Sequence, residues 1–330
     1  MAVKSMNVLN IMTFHHKELK LKFGDGINIL IGENGVGKTT LLKMIYAAVQ
    51  YSNEKQVSDK KLIHFFSSNL KDSNQMKNLE KEDDGCYFEI SDGQHIFRDC
   101  LTKEHGIVSE GWKGLNIQSV FIPTTEMLSH SKGFLAMNQK YRMPFDETQI
   151  DIIVNASLPE TREISESCEA ILKEISAVID GQVVQEDDTF YVVKKDGRKI
   201  DFSLEAEGMR KLGLLWKLIR NGLLERNSIL LWDEPEANLN PELYPLVVNI
   251  LLALEKNGVQ IFLATHSYNF AKYLEIRRTE KEQVLIHNLY RKGLGMKAEI
   301  ESVSAYKMED LEPNHIMMAD NRLLDEVYNM

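Results

Sequence analysis

Two stretches of this 330-residue chain carry residue types at spacings suited to phosphate chemistry. Gly32-Glu33-Asn34-Gly35-Val36-Gly37-Lys38-Thr39 satisfies GxxxxGK[ST] at every fixed position. In such a loop the glycines let backbone N–H groups curl around phosphate oxygens, and the helix beginning at Gly37 points its positive end at them. Lys38 then reaches the β- and γ-phosphates, and the Thr39 hydroxyl ligates Mg²⁺. Gly32, Asn34, Gly35, Gly37, Lys38, Thr39 and Thr40 are the candidate residues for binding the phosphates of ATP. The second stretch is an apolar run, Ile229 to Trp232, that delivers two adjacent carboxylates, Asp233 and Glu234, before Pro235. Asp233 would hold Mg²⁺ through water and Glu234 would orient and activate the attacking water, because phosphoryl transfer needs mainly positioning and charge neutralisation. His266, in Ala264-Thr265-His266-Ser267 at the end of another apolar run, is placed to sense the γ-phosphate and keep that water aligned.

These residues need elements to position them. Asn7 to Phe14 and Glu18 to Phe23 read as short strands, and Ile27 to Ile31 as a strand running into the Gly-rich loop. Leu41, Leu42, Met44, Ile45 and Ala48 then recur at helical spacing, giving the strand-loop-helix order that a phosphate loop requires. Tyr51 to about Glu82 is polar and reads as an exposed, partly mobile insertion. Cys86 to Ile96 alternates around Asp92-Gly93 as a hairpin, and Ser119 to Ile122 is a strand closed by Pro123. Glu160 to Ile179 is one amphipathic helix, too short for a coiled-coil arm. A second hairpin is expected from Val183 to Val193, returning through Asp196-Gly197 to Phe202. Met209 to Leu224 and Leu243 to Lys256 read as helices, Ser228 to Trp232 and Val259 to Ala264 as buried strands. Because the Gly-rich loop and the carboxylates lie far apart in the chain, 1–50 and 200–290 must meet as one α/β core. The remaining assignments are 51–199 as an inserted mixed α+β lobe and 291–330 as an extension packed on the core.

Composition narrows the class. A formal charge of −10 argues against a uniformly basic surface that captures nucleic acid, although a local groove remains open. Lys194, Lys195, Arg198, Lys199, Arg210, Lys211, Lys217 and Arg220 could form such a stripe, but no aromatic residues interleave with the Lys194 to Lys199 run. Cys86, Cys100 and Cys168 are odd in number and lack CxxC spacing, so neither a disulfide framework nor a zinc site is expected and a cytoplasmic location fits. No apolar stretch reaches the ~20 residues of a membrane span, and the first ten residues lack a signal-peptide core.

The set Ile31 to Thr40, Leu230-Leu231-Trp232-Asp233-Glu234-Pro235-Glu236-Ala237-Asn238-Leu239-Asn240-Pro241 and Ala264 to Ser267 resembles the soluble ABC ATPases related to RecF, SMC and OLD-type proteins. It is most similar to the AbiEii-like, AAA-labelled branch. The resemblance implies an ABC ATPase-type P-loop core of α/β class, with ATP and Mg²⁺ as ligands and the chain acting as an ATP-dependent homodimer. It also implies a D-loop at Asn238 to Pro241 that crosses the dimer interface, and a signature helix that caps the partner's ATP. Ala206-Glu207-Gly208 is the candidate signature, with Ala206 in place of the usual serine and Glu207 in place of a glycine, so Gly208 and the helix N-terminus are left for the contact. Gln118 and Glu126 are alternative candidates for the Q-loop. Functionally the resemblance implies a regulatory ATPase that controls a toxin or nuclease effector in anti-phage defence. The alternatives are a RecF-like DNA repair ATPase and, third, a transport subunit. The residues after His266 hold no DxD cluster, so an attached nuclease of the OLD kind is not expected.

Overall fold

The computed structural model describes residues 2–15, 17–53, 59–78, 85–101, 106–141, 143–293 and 298–329. At its centre is a six-stranded sheet. Its strands, in spatial order, are β14 (Glu299–Ala305), β13 (Val284–Lys292), β3 (Ile27–Gly32), β12 (Gln260–Ala264), β11 (Ile229–Asp233) and β7 (Ser119–Ile122). All neighbours are parallel except β13 and β14. Strands β3, β7, β11 and β12 are buried at every position, as parallel strands covered on both faces must be. Alternation splits each between two cores: Ile27, Ile29 and Ile31 face one, Leu30 the other.

Helix α1 (Lys38–Asn53) follows β3 and is buried nearly all round, from Leu41 to Val49, because it lies between two sheets. The outer one is antiparallel, in the order β2 (Leu19–Lys22), β1 (Ser5–Leu9), β4 (Tyr87–Ser91), β5 (Ile96–Cys100), β6 (Gly106–Glu110). The opposite face of the central sheet is covered by α4 (Glu147–Ala156), α5 (Glu166–Val178), α6 (Glu207–Arg220), α7 (Tyr244–Lys256) and α8 (Tyr268–Arg277). A small sheet, β8 (Gly181–Glu186), β9 (Thr189–Lys194) and β10 (Lys199–Asp201), packs beside α5 and α6. Helix α9 (His315–Tyr328) contacts α8 and β3 and has no fully buried residue.

The segment 51–199 does not fold apart as a single lobe. Its strands β4 to β6 extend the sheet begun by β1, β7 completes the edge of the central sheet, and β8 and β9 join the small one. The extension 291–330 likewise supplies β14 to the central sheet. Main-chain pairing decides both cases, since a strand edge left unpaired carries unsatisfied N–H and C=O groups. Within 51–82 the polar composition also misleads. Leu62, Ile63, Phe65 and Met76 are buried in the core that holds α1, while 54–58 and 79–84 lie outside the described residues. The expected single hairpin from Val183 is three strands, because Asp187, in a left-handed conformation at φ 50°, turns the chain before Thr189.

Candidate functional site

The parallel strands end together. Asp233 pairs with Ala264, Ala264 with Leu30, and Trp232 with Ile122, so the segments that follow β3, β7, β11 and β12 converge on one edge. Such an edge, outside the carboxyl ends of parallel strands, is where α/β sheets bind ligands.

The Gly-rich loop fills its centre. Gly32 (φ 141°) lies so close to β13 that a Cβ there would stand 2.1 Å from the Leu289 carbonyl oxygen. Gly37 (φ 93°) has the Phe14 ring 2.4 Å from where a Cβ would be. Lys38 is buried and donates to the carbonyls of Gly32 (2.8 Å) and Glu33 (2.9 Å), which wraps the loop around its ammonium. Burial pushes that ammonium down to about 8, against the opposing charges of Asp233, Glu234, Glu236 and Glu33.

Asp233 accepts hydrogen bonds from Thr39 Oγ1 at 3.1 and 2.9 Å and from Thr124 Oγ1 at 3.0 Å. Burial raises its pKa, and the two hydroxyls oppose the shift. Glu234 stands in the left-handed region (φ 50°), with its N–H on the Ala264 carbonyl at 2.8 Å. His266 bridges the two halves: Nδ1 lies 3.3 Å from Lys38 Nζ and Nε2 lies 3.1 Å from Glu234 Oε1. These distances fit a ring that accepts at Nδ1 and donates from Nε2. Glu236 orients this segment, its Oε1 accepting from Thr265 Oγ1 (2.5 Å), His266 N (3.1 Å) and Ser267 N (3.3 Å).

Lys38, Thr39, Asp233, Glu234 and His266 are thus brought together. Asn34 and Gly35 are exposed at the tip of the loop, where the Gly35 carbonyl accepts from Thr13 Oγ1 and Arg291 Nη2. The Thr40 hydroxyl points away, toward Met12 Sδ at 4.0 Å. Ala206 precedes α6 without a side-chain cap, Glu207 accepts from Asn238 Nδ2 at 2.7 Å, and Gly208 packs under Asn238. Of the Q-loop candidates, Glu126 is turned away from Asp233 onto Leu128 N, Ser129 N and Arg210, and Gln118 lies ahead of β7, its carbonyl accepting from Ile229 N. Thr124, which does reach Asp233, was missed; two threonines following a strand and a proline were its only sequence signal. His315 was missed as well: from α9 its Nδ1 lies 2.6 Å from Glu33 Oε1. An open cleft of about 740 Å³ between α9 and the loop edge is lined by Glu33, His266, Tyr268 and His315 among others.

The oxygen-rich pair of Thr39 and Asp233 suits Mg²⁺, a hard cation taken by one or two carboxylates together with substrate phosphates. The candidate basic stripe is spoken for internally. Lys194 pairs with Glu205, Lys195 with Asp180, Arg198 with Asp196, Lys199 with Glu186, and Lys217 and Arg220 with Glu160.

Comparison with known proteins agrees with this geometry. A family described as "AAA domain, putative AbiEii toxin, Type IV TA system" matches residues 127–271, and one described as "AAA domain" matches residues 5–134, neither reaching half of the chain. The DNA replication and repair protein RecF of Clostridium kluyveri is 30% identical over 122 residues, 36% of this chain and 28% of that one. RecF of Clostridioides difficile is 34% identical over 70 residues, 21% and 18% of the two chains. The chain therefore aligns with less than a third of either relative. The SMC head domain from Thermotoga maritima superposes with a TM-score of 0.51 at 16% identity, covering 92% of this chain and 99% of that one. An SMC head bound to the C-terminal winged-helix domain of ScpA gives 0.59 at 11%, covering 92% and 98%. In fold and motifs the chain is thus similar to ATPases of the ABC/SMC/RecF type. No described helix is long and apolar enough to cross a membrane.

Proposed function

We propose that this chain binds ATP with Mg²⁺ at the loop from Gly32 to Thr40 and hydrolyses it. Its ATP-bound homodimer then controls a protein effector, a toxin or nuclease of anti-phage defence. The observation that carries the enzymatic part is the continuous chain of contacts from Lys38 through His266 to Glu234, beside the Thr39–Asp233 pair. In this reading Lys38 exchanges its loop carbonyls for phosphate oxygens, and Thr39 and Asp233 hold Mg²⁺. Bound there, Mg²⁺ would neutralise charge that develops on the phosphate oxygens. Glu234 takes the position of the water-orienting carboxylate, held in place by the His266 ring. The effector half is supported by the description of the family matched over residues 127–271. The ScpA-bound SMC head offers a precedent for a protein partner on this fold.

Glu234→Gln should bind ATP as the wild type does and slow its hydrolysis by orders of magnitude, whereas Lys38→Ala should lose ATP affinity. Turnover in Glu234→Gln equal to that of the wild type would remove Glu234 from its assigned role. The RecF relatives favour one other reading, a DNA-repair ATPase, which requires turnover stimulated by DNA at low salt, where phosphate contacts are strongest.

A further inference from the structure

Lys211 is a cation of the nucleotide edge that the reading above leaves without a role. It is 3% exposed, although in the sequence it groups with Arg210, Lys217 and Arg220 in the candidate basic stripe. It lies one turn into α6, and its Nζ donates to the carbonyl oxygen of Glu234 at 3.0 Å. Burial lowers its pKa, opposed by the charges of Glu236, Glu207, Glu234 and Asp233. A buried ammonium is costly to keep, and a carboxylate cluster with a fixed acceptor offsets that cost.

The acceptor is an unusual one. Glu234 is a non-glycine residue in the left-handed region, a conformation that persists only where its surroundings hold it. Its N–H is fixed to β12 through the Ala264 carbonyl, and its own carbonyl receives both Ala237 N (3.1 Å) and Lys211 Nζ. With both ends of the residue pinned, the point from which the side chain leaves the backbone is fixed, and its carboxylate meets His266 Nε2 at 3.1 Å. The first turn of α6 grips the same loop at a second point, where Glu207 accepts from Asn238 and a Cβ on Gly208 would come within 3.2 Å of the Asn238 carbonyl oxygen. The loop from Glu234 to Leu239 and the start of α6 therefore form one body.

We infer that Lys211 is a positioning residue for hydrolysis: it holds the Glu234 backbone so that the carboxylate stays aimed at the attacking water. It also ties that aim to the first turn of α6. The inference rests on the proposed role of Glu234.

The test compares Lys211→Met, Lys211→Gln and Lys211→Arg with the wild type and Glu234→Gln, measuring melting, equilibrium binding of ATP with Mg²⁺, and single-turnover hydrolysis. Lys211→Met should bind ATP within about threefold of the wild type and hydrolyse it about 10- to 100-fold more slowly. Lys211→Arg, which keeps the charge, should recover part of the rate, and Lys211→Gln, which keeps only a donor, less. Wild-type turnover in Lys211→Met or Lys211→Gln, with Glu234→Gln inactive, overturns the inference and leaves Glu234 its role. Rate and ATP affinity falling in parallel also overturn it, since that is what a merely structural lysine gives. Should Lys211→Met fail to fold, the Gln and Arg variants carry the same comparison. Wild-type turnover in Glu234→Gln removes the reading on which the inference stands, and is seen separately from the Lys211 variants.

Discussion

The Thr39, Asp233, Glu234 and His266 side chains meet because short motifs at strand ends carry their own geometry, and this made them legible as residue types at spacings. Thr124, His315 and Lys211 were not legible in that way. Each reaches the site by tertiary packing, and a lone threonine, histidine or lysine has no spacing to announce it. His287 is a similar case with a measurable consequence. It is fully buried in β13, with Nδ1 2.7 Å from Ser304 Oγ and Nε2 3.3 Å from Asn28 Oδ1. Burial pushes its pKa from 6.5 down to about 4. The unfolded chain therefore takes up a proton that the native protein excludes, so stability present above pH 6.5 is lost as the pH falls toward 4. The loss amounts to about 3 kcal/mol over that window. Denaturant midpoints measured across it should shift less steeply in His287→Asn than in the wild type; equal slopes would assign the acid sensitivity to other groups.

Among the elements, the strand-loop-helix unit around Gly32 and the buried strands at Ile229 and Gln260 could be read directly, since uninterrupted apolar runs between turn signals have few other solutions. Helix α4 was not, although it carries a complete cap: Asp146 accepts from Thr148 N and Gln149 N, and Gln149 reaches back to the Asp146 N–H. Its apolar residues Ile150, Ile152 and Ile153 crowd together without a clear period, so the capping signal had no helix to attach to. Asp146 also pairs with Lys43 of α1 at 2.6 Å, with both side chains largely buried, which fastens α4 to the helix behind the phosphate loop. Asp146→Ala should lower unfolding stability by roughly 2 kcal/mol, and Asp146→Asn, which retains the cap acceptor, by less. An unchanged chemical denaturation curve for Asp146→Ala would mean that neither the cap nor the ion pair contributes.

For the whole molecule, the strand order of the central sheet could not be read from local patterns, because β3 pairs with strands more than two hundred residues away. The requirement that loop and carboxylates meet predicted the contact without predicting the order. In the proposed homodimer the exposed Asn34, at the tip of the Gly-rich loop, and the exposed Ala206, ahead of α6, would meet a second copy. Glu234→Gln with ATP and Mg²⁺ should therefore double in mass by light scattering and return to monomer with ADP. A monomer under both conditions would leave the proposed dimer without support.

The strand that carries the phosphate loop lies between β12 and β13, and Gly32 rests against the carbonyl of Leu289. During synthesis β3 leaves the ribosome more than two hundred residues ahead of both of its neighbours. Long-range pairing of this kind is slow to form and leaves unpaired edges exposed until it does. The loop is thus made long before the strands that complete its surroundings, and a nascent chain that has not yet emerged past Leu289 has no finished edge on which the proposed nucleotide could bind.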